Sequence, residues 1–290
     1  MSALPYLYST LRHFDRGDSA ATPSPKSKGP GYTVSFIGPV RKMLRAAKQQ
    51  GVSRWDAYRL RRRILDIFPR NAAAREEWVV FDVGANIGQT ALRACRALRG
   101  ITRPTVHCFE PFSENYAALC ANTRQRSGIR THRLALGNKQ GNMTVPLSAH
   151  SQWHSLANQE YWQTLSTRCE QIDVTTLDAF VAREEIPRIA ILKTDTEGYD
   201  LQVLQGGRSL LGSHRVDVVI CEVGFNREDR QHTFFPPVFD FLQECGYRLY
   251  LLDDQVATRA EFLGNVPTIC YANAWFVSPN MSRPHSSVRR

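Results

Sequence analysis

The 290-residue sequence predicts an α/β fold, a mainly parallel β-sheet with helices on both faces, preceded by a basic helical N-terminal extension. Three observations carry this. From Glu77 onward, short apolar runs alternate with stretches of helical periodicity. The apolar runs are continuous rather than alternating, as in strands buried on both faces. Polar and acidic residues gather just after these runs, where such sheets bind their ligands.

The elements follow in order. Trp78–Val83 reads as a strand and Gln89–Leu98 as a helix. Pro104–Phe109 is a strand, Ser113–Thr123 a helix and Ile129–Leu134 a strand. Asn142–Leu147 and Gln171–Thr175 are short strands that interrupt the rhythm. Thr176 is placed to cap a helix through Arg183, since a threonine oxygen can accept from a free N–H of the first turn. Ile189–Thr194 is a strongly apolar strand, Asp200–Leu211 a helix and Val216–Cys221 another strand. Pro236–Cys245 is a helix stopped by Gly246, a residue suited to a left-handed C-cap. Tyr247–Leu252 and Asn273–Val277 are the last strands.

Composition excludes several classes. With 42% apolar and 22% charged residues the chain is globular rather than disordered. No apolar run approaches the ~20 residues of a membrane span. Met1–Asp15 lacks the uninterrupted apolar core of a signal peptide, so a cytoplasmic location is expected. The seven cysteines form no C-x-x-C pair and read as reduced thiols.

Charge is unevenly placed. Met1–Arg75 holds 15 basic against 4 acidic residues, whereas Glu76–Arg290 holds 22 against 23. The large C-terminal part therefore lacks the basic footprint of a nucleic-acid enzyme. Three regions are expected: a basic extension over 1–75, a main domain over 76–280 and a flexible basic tail over 281–290. Within the extension, the Gly-, Ser-, Pro- and Lys-rich segment 16–31 has no core-forming residues. Two helices follow, Pro39–Gln50 and Arg54–Phe68. The second carries an apolar stripe of Trp55, Tyr58, Leu60, Ile64, Leu65 and Phe68 beside Arg59, Arg61, Arg62 and Arg63. Packing on the main domain with a solvated basic face is the favoured reading; contact with anionic lipid or a partner protein is the alternative.

The strand ends carry the chemistry. Phe81-Asp-Val-Gly-Ala-Asn-Ile-Gly88 runs from a strand into a helix, and Gly84 and Gly88 suit a tight turn and close approach of a ligand. The spacing is G-x-x-x-G, which matches neither a dinucleotide fingerprint nor a phosphate loop. Glu110 ends the second strand, 22 residues beyond Gly88, where an acid can accept both hydroxyls of a ribose. A nucleoside cofactor without pyrophosphate fits the pair, and S-adenosylmethionine meets that description. Lys193, Asp195 and Glu197 cluster at the end of the Ile189 strand, and Glu222 ends the next. Charges so placed are costly to bury unless paired or functional. The loop His150-Ser-Gln-Trp-His154-Ser, with Trp162, reads equally as a cover for an acceptor pocket or as ordinary surface.

Taken together, Phe81–Gly88, Phe109-Glu-Pro111, Ala135-Leu-Gly-Asn138, Leu192-Lys-Thr-Asp-Thr-Glu-Gly198 with Val203-Leu204 and Gly206, and Cys221-Glu222 closely resemble the FkbM family of S-adenosylmethionine-dependent methyltransferases. The resemblance covers roughly Trp78 to Asp253. It implies a seven-stranded Rossmann-like class I methyltransferase fold and O-methylation of a hydroxyl on a sugar, glycan or natural product. Carried over residue by residue, it implies that Asp82, Gly84, Ala85, Asn86 and Gly88 hold the methionine end of the cofactor. Glu110 takes the ribose, Pro111 and Phe112 border the adenine, and Ala135 and Leu136 lie beneath it. Asp195 sits beside the methyl group, with Lys193, Glu197 and Glu222 on the acceptor side.

An alcohol is a poor nucleophile at neutral pH, so a base within hydrogen-bond reach is expected. Asp195 or Glu222 is the expected proton acceptor, with His154 as a substitute and Lys193 orienting the carboxylates. No metal is expected, because the acids present no clear ligand set. The competing readings are an oxidoreductase, a non-catalytic nucleoside-binding module, and a nucleic-acid methyltransferase recruited by the basic segment.

Overall fold

The computed structural model describes residues 57–68, 78–147, 156–157, 168–229, 231–253 and 271–281. The segment 16–31, the helix expected over 39–50, His150, His154 and Trp162 lie outside these residues, as does the expected tail beyond Met281. The chain divides into two units, Met1–Arg59 and Leu60–Arg290. Of the first, only residues 57–59 are described, and they are helical.

The second unit is built on a central sheet. Its strands are β1 (Val79–Val83), β2 (Thr105–Phe109), β3 (Ile129–His132), β7 (Ile189–Thr194), β8 (Val216–Gly224), β10 (Arg248–Asp253) and β11 (Tyr271–Val277). They lie in the order β10-β11-β8-β7-β1-β2-β3. Neighbours from β8 through β3 run parallel, while β11 is antiparallel to both β8 and β10. A two-residue strand, β9 (Thr233–Phe234), adds to the end of β8. The expected seven-stranded, mainly parallel sheet is present. The order turns back at β1, and the chain leaves β1 and β7 on the same rim. A sheet of this kind opens a crevice at that point.

The strands form where continuous apolar sequence predicts them: every residue of β1 is buried, as are the first four of β7 and the first six of β8. The helices follow their caps and breakers. Thr176 accepts from the Ala179 N–H at 3.1 Å and starts α4 (Leu177–Arg183). Helix α7 (Phe235–Glu244) has prolines in its first turn and gives way to Gly246 at φ +85°. Helices α2 (Gln89–Ala97) and α3 (Ser113–Thr123) fall as expected.

Two expectations need correction. The helix expected over Asp200–Leu211 is two, α5 (Asp200–Gln205) and α6 (Arg208–Gly212). A Cβ at Gly206 would collide with the Gly137 carbonyl, and one at Gly207 would press on Leu177, so close packing at this glycine pair bends the chain. The strand expected over Ile129–Leu134 stops at His132. The next residues form β4 (Ala135–Gly137), which joins β6 (Cys169–Thr176) and β5 (Gly141–Pro146) in a second sheet of order β4-β6-β5.

On the main sheet, Phe180 of α4 stands edge-on to Phe81, Phe109, His107 and His132 at centroid distances of 4.7 to 5.8 Å. Across the sheet, Ile64, Ile67 and Phe68 of the basic helix α1 (57–67) and its end are buried with Trp78, Val106 and Trp275 in one core cluster. Tyr58 and Leu65, assigned to its apolar stripe, are instead exposed. Two of its arginines are not simply solvated. Arg61 donates to the carbonyls of Ala97 and Arg99 at 3.0 and 2.7 Å, and Arg63 lies 5.7 Å from the Trp275 ring centre. Met281, the first residue of the expected tail, is buried in the same cluster. The described cysteines are all free, and among the described residues no helix is long and apolar enough to cross a membrane.

Candidate active site

Backbone hydrogen bonds hold the start of the turn after β1. The N–H groups of Gly84 and Ala85 both donate to the Phe109 carbonyl at 3.0 Å, and the Gly88 N–H donates to Ala85. Gly84 sits at φ +79°, and a Cβ there would collide with the Asp195 carbonyl. Gly88, at φ +86°, starts α2, and a Cβ would press on Leu119 and Thr123 of α3. Both glycines are thus also required by neighbouring parts of the chain, because the residues after strand β7 and those of helix α3 pass too close for any side chain.

A cleft opens beside this turn. Of the residues assigned to the cofactor, Gly84, Asn86, Glu110, Pro111, Phe112, Ala135, Leu136 and Asp195 line it. Asp82, Ala85 and Gly88 do not; Asp82 and Ala85 are buried behind the wall. Asn115, Leu134, Leu156 and Thr196 also line the cleft and were not singled out from the sequence. Glu110 accepts from the N–H of Asn86 at 2.9 Å and of Phe112 at 3.2 Å, so it stitches the β1 turn to its own. Burial raises its pKa to about 7, against the opposing pull of those hydrogen bonds.

Asp195 and Glu197 bring charge to the other wall; Lys193 and Glu222, assigned to the acceptor side, do not line the cleft. Lys193 donates to Asp195 at 2.7 Å. Burial alone would push the lysine down, but Asp195, Asp82 and Glu222 outweigh it and hold the ammonium charged. Burial likewise pushes Asp195 up, and Lys193 with a hydrogen bond from Glu222 brings it below the usual carboxylate range. Glu222, desolvated and facing ionised Asp195, rises to about 10. At neutral pH the two carboxyls thus hold one proton between them. Asp82 rises to about 6 through burial, offset by Lys193. Glu197, which also lines the cleft, rises to about 8 through burial and then through Asp195 and Asp200.

Asp200 organises this rim. It is 1% exposed, accepts from the Thr196 N–H at 3.2 Å and from the Thr233 hydroxyl at 2.9 Å, and so ties the loop after β7 to β9. Further along lies His232. Its Nδ1 is 2.7 Å from Asp229, its Nε2 is 3.9 Å from Glu222, and its ring stacks on Tyr271 at 4.4 Å. Asp200, Asp229, His232 and Tyr271 were not candidates from the sequence, whereas Glu222 was. The Asp229-x-x-His232 spacing was the available signal, within a polar run that reads as an ordinary turn. Among the described residues no group of three His, Cys, Asp or Glu side chains is arranged to hold a metal.

A turned-back, mainly parallel sheet with a strand-end acid at a glycine turn and a charged cluster on the next strand defines a Rossmann-like class I methyltransferase fold. Residues 82–249 match the family model described as the methyltransferase FkbM domain, and the chain belongs to that family. It is 28% identical over 160 residues to the hexuronic acid methyltransferase AglP of Haloferax volcanii, covering 54% of this chain and 61% of that one. It is 34% identical over 155 residues to the 31-O-demethyl-FK506 methyltransferase FkbM of Streptomyces tacrolimicus, covering 44% of this chain and 58% of that one. The chain thus spans about 60% of the length of these curated relatives. The crystal structure of methyltransferase FkbM from Methylobacillus flagellatus KT superposes with a TM-score of 0.47 at 16% identity, over 69% of this chain and 44% of that one.

The cofactor of such a methyltransferase is S-adenosylmethionine, and the residues present fit it. Asn86 Oδ1 and Thr196 Oγ1 are buried on cleft-lining residues without a hydrogen-bond partner, and the apolar pair Ala135 and Leu136 faces the same cleft. Orphaned acceptors beside an apolar floor suit a ligand with an amino group at one end and a purine at the other.

Proposed function

We propose that this chain is a methyltransferase that transfers the methyl of S-adenosylmethionine to a hydroxyl of a sugar, glycan or natural product. The observation that carries the reading is the Lys193–Asp195–Glu222 set: Asp195, fixed by two partners, stands on the wall of the same cleft as Glu110. The names of the two relatives support the same reading, one referring to a hexuronic acid and one to 31-O-demethyl-FK506.

When bound, S-adenosylmethionine supplies an electrophilic methyl on a sulfonium. The chain's residues do the rest. Glu110 accepts from the ribose hydroxyls, and Asn86 Oδ1 accepts from the amino group. Phe112, Ala135 and Leu136 exclude water around the base. Asp195 accepts a hydrogen bond from the acceptor hydroxyl and aims its oxygen, while Lys193 and Glu222 keep Asp195 in place. Alignment of this kind can be worth roughly 7–11 kcal/mol.

The test is transfer of label from methyl-labelled S-adenosylmethionine to a panel of glucose, glucuronic acid, their nitrophenyl glycosides and a macrolide polyol. We expect at least one labelled product, with Asp195→Asn losing about 100-fold in rate, on the scale of a lost positioned polar group. Calorimetric affinity for S-adenosylmethionine should change far less. Label appearing only on amines or nucleic acid would overturn the reading.

A further inference from the structure

Resting on that reading, we propose that His232, held by Asp229 and Tyr271, is the catalytic base that takes the proton from the acceptor hydroxyl. The placement comes from three elements. The loop after β8 supplies Asp229 and His232, β8 supplies Glu222, and the start of β11 supplies Tyr271. All three meet at the rim where β7 ends with Asp195. The Asp229 carboxylate, 2.7 Å from Nδ1, is an acceptor, so Nδ1 carries the hydrogen and donates it. Nε2 is then the ring's lone-pair nitrogen, and it faces Glu222 Oε2 at 3.9 Å, beyond hydrogen-bond range. The parallel stack on Tyr271, at 4.4 Å and 8°, fixes the ring plane.

The neighbouring carboxylates cannot easily do the same work. Asp195 and Glu222 share one proton, and Lys193, 2.7 Å from Asp195, stabilises the charge that remains on the pair. A carboxylate so stabilised binds and aims a hydroxyl well but takes its proton poorly. The groups facing the His232 ring are Asp229 from its own loop, Glu222 from β8, Asp195 from β7 and Tyr271 from β11.

The step balances. The hydroxyl oxygen bonds to the methyl carbon as the methyl–sulfur bond breaks, and that electron pair stays on sulfur. The hydroxyl proton passes to Nε2, and the imidazolium later returns it to water. His232 is partly exposed, with 14% of its side chain accessible, so the return is open.

The test has two arms on the full chain. The first reads the ring without any acceptor: histidine-nitrogen NMR, with the His232 signal assigned by its loss in His232→Gln. We expect hydrogen on Nδ1 in the neutral ring, and loss of that tautomer preference in Asp229→Asn. Hydrogen on Nε2 in the wild type would overturn the proposal, since that nitrogen could not then accept. The second arm uses the best acceptor of the panel above. We expect His232→Gln to lose about 100-fold or more in kcat with little change in KM for S-adenosylmethionine, to lose its lower pH limb, and to regain rate with added imidazole. Unchanged kcat, or no imidazole rescue with a falling melting temperature, would also overturn it. If nothing in the panel is methylated, the functional reading fails while the NMR arm still decides the tautomer on which the proposal depends.

Discussion

A side chain on Gly84 would collide with the backbone carbonyl of Asp195, so the cofactor turn and the charged strand end are one packed unit. The Asp195 N–H donates to Val83 at 3.0 Å, which locks the same approach from the other direction. In the function proposed above, cofactor binding and acceptor orientation therefore share a backbone, and damage to one is expected to reach the other.

Gly84→Ala therefore adds a clash to a left-handed φ of +79°. The conformation alone costs a non-glycine residue about 1–3 kcal/mol, and the clash adds to it. We expect a melting temperature lower by several degrees and loss of S-adenosylmethionine binding, read by calorimetry. A variant that binds normally would show that the turn relaxes freely.

Glu110 makes cofactor affinity depend on pH. Its pKa in the free protein is about 7, and ribose hydroxyls need the ionised form as acceptor. Protonation below pH 7 competes with binding. We expect the affinity to fall up to tenfold per pH unit below 7 and to level off above it, with proton release on binding near neutrality. Glu110→Gln should bind weakly with a flat pH profile.

Lys193 is the cation shared by Asp195, Asp82 and Glu222. Removing one partner of a buried ion pair typically costs about 3–5 kcal/mol. Lys193→Met should lower the melting temperature most at high pH, where the stranded carboxylates are charged. The deficit should shrink as pH falls and they become protonated. Thermal unfolding between pH 5 and pH 9 checks the sign.

The His107–His132 pair makes the fold acid-sensitive. Their rings stack, with His107 Nδ1 3.1 Å from His132 Nε2. Burial, then its neighbour His132, lowers His107 to about 4, and burial lowers His132 as well. Depressed histidines favour folding fully above the unfolded value of about 6.5, and that contribution is lost as pH falls toward 4. We expect the melting temperature to fall across that window. His107→Phe should flatten the curve there.

The sheet was legible because it is made of uninterrupted apolar runs, and the strand-end acids because polar residues there have few other reasons to follow a core strand. The breaks in pattern were not. The split between α5 and α6 depends on Gly206 meeting Gly137, a contact between residues about 70 apart. The second sheet depends on β4, three residues too short for a periodic signal. In the site, the sequence showed that Asp195 and Glu222 lie on adjacent strand ends, not that they share a proton. His232 stayed hidden because its partners come from three separate elements.

The most direct test of hydroxyl methylation is the bonding of the transferred carbon. Full-length protein would be incubated with carbon-labelled methyl S-adenosylmethionine and the acceptor panel, and the product examined by NMR. The account predicts a methyl ether carbon, abolished or reduced about 100-fold in Asp195→Asn. A methyl on nitrogen or carbon, or no transfer by protein that binds S-adenosylmethionine, would contradict it.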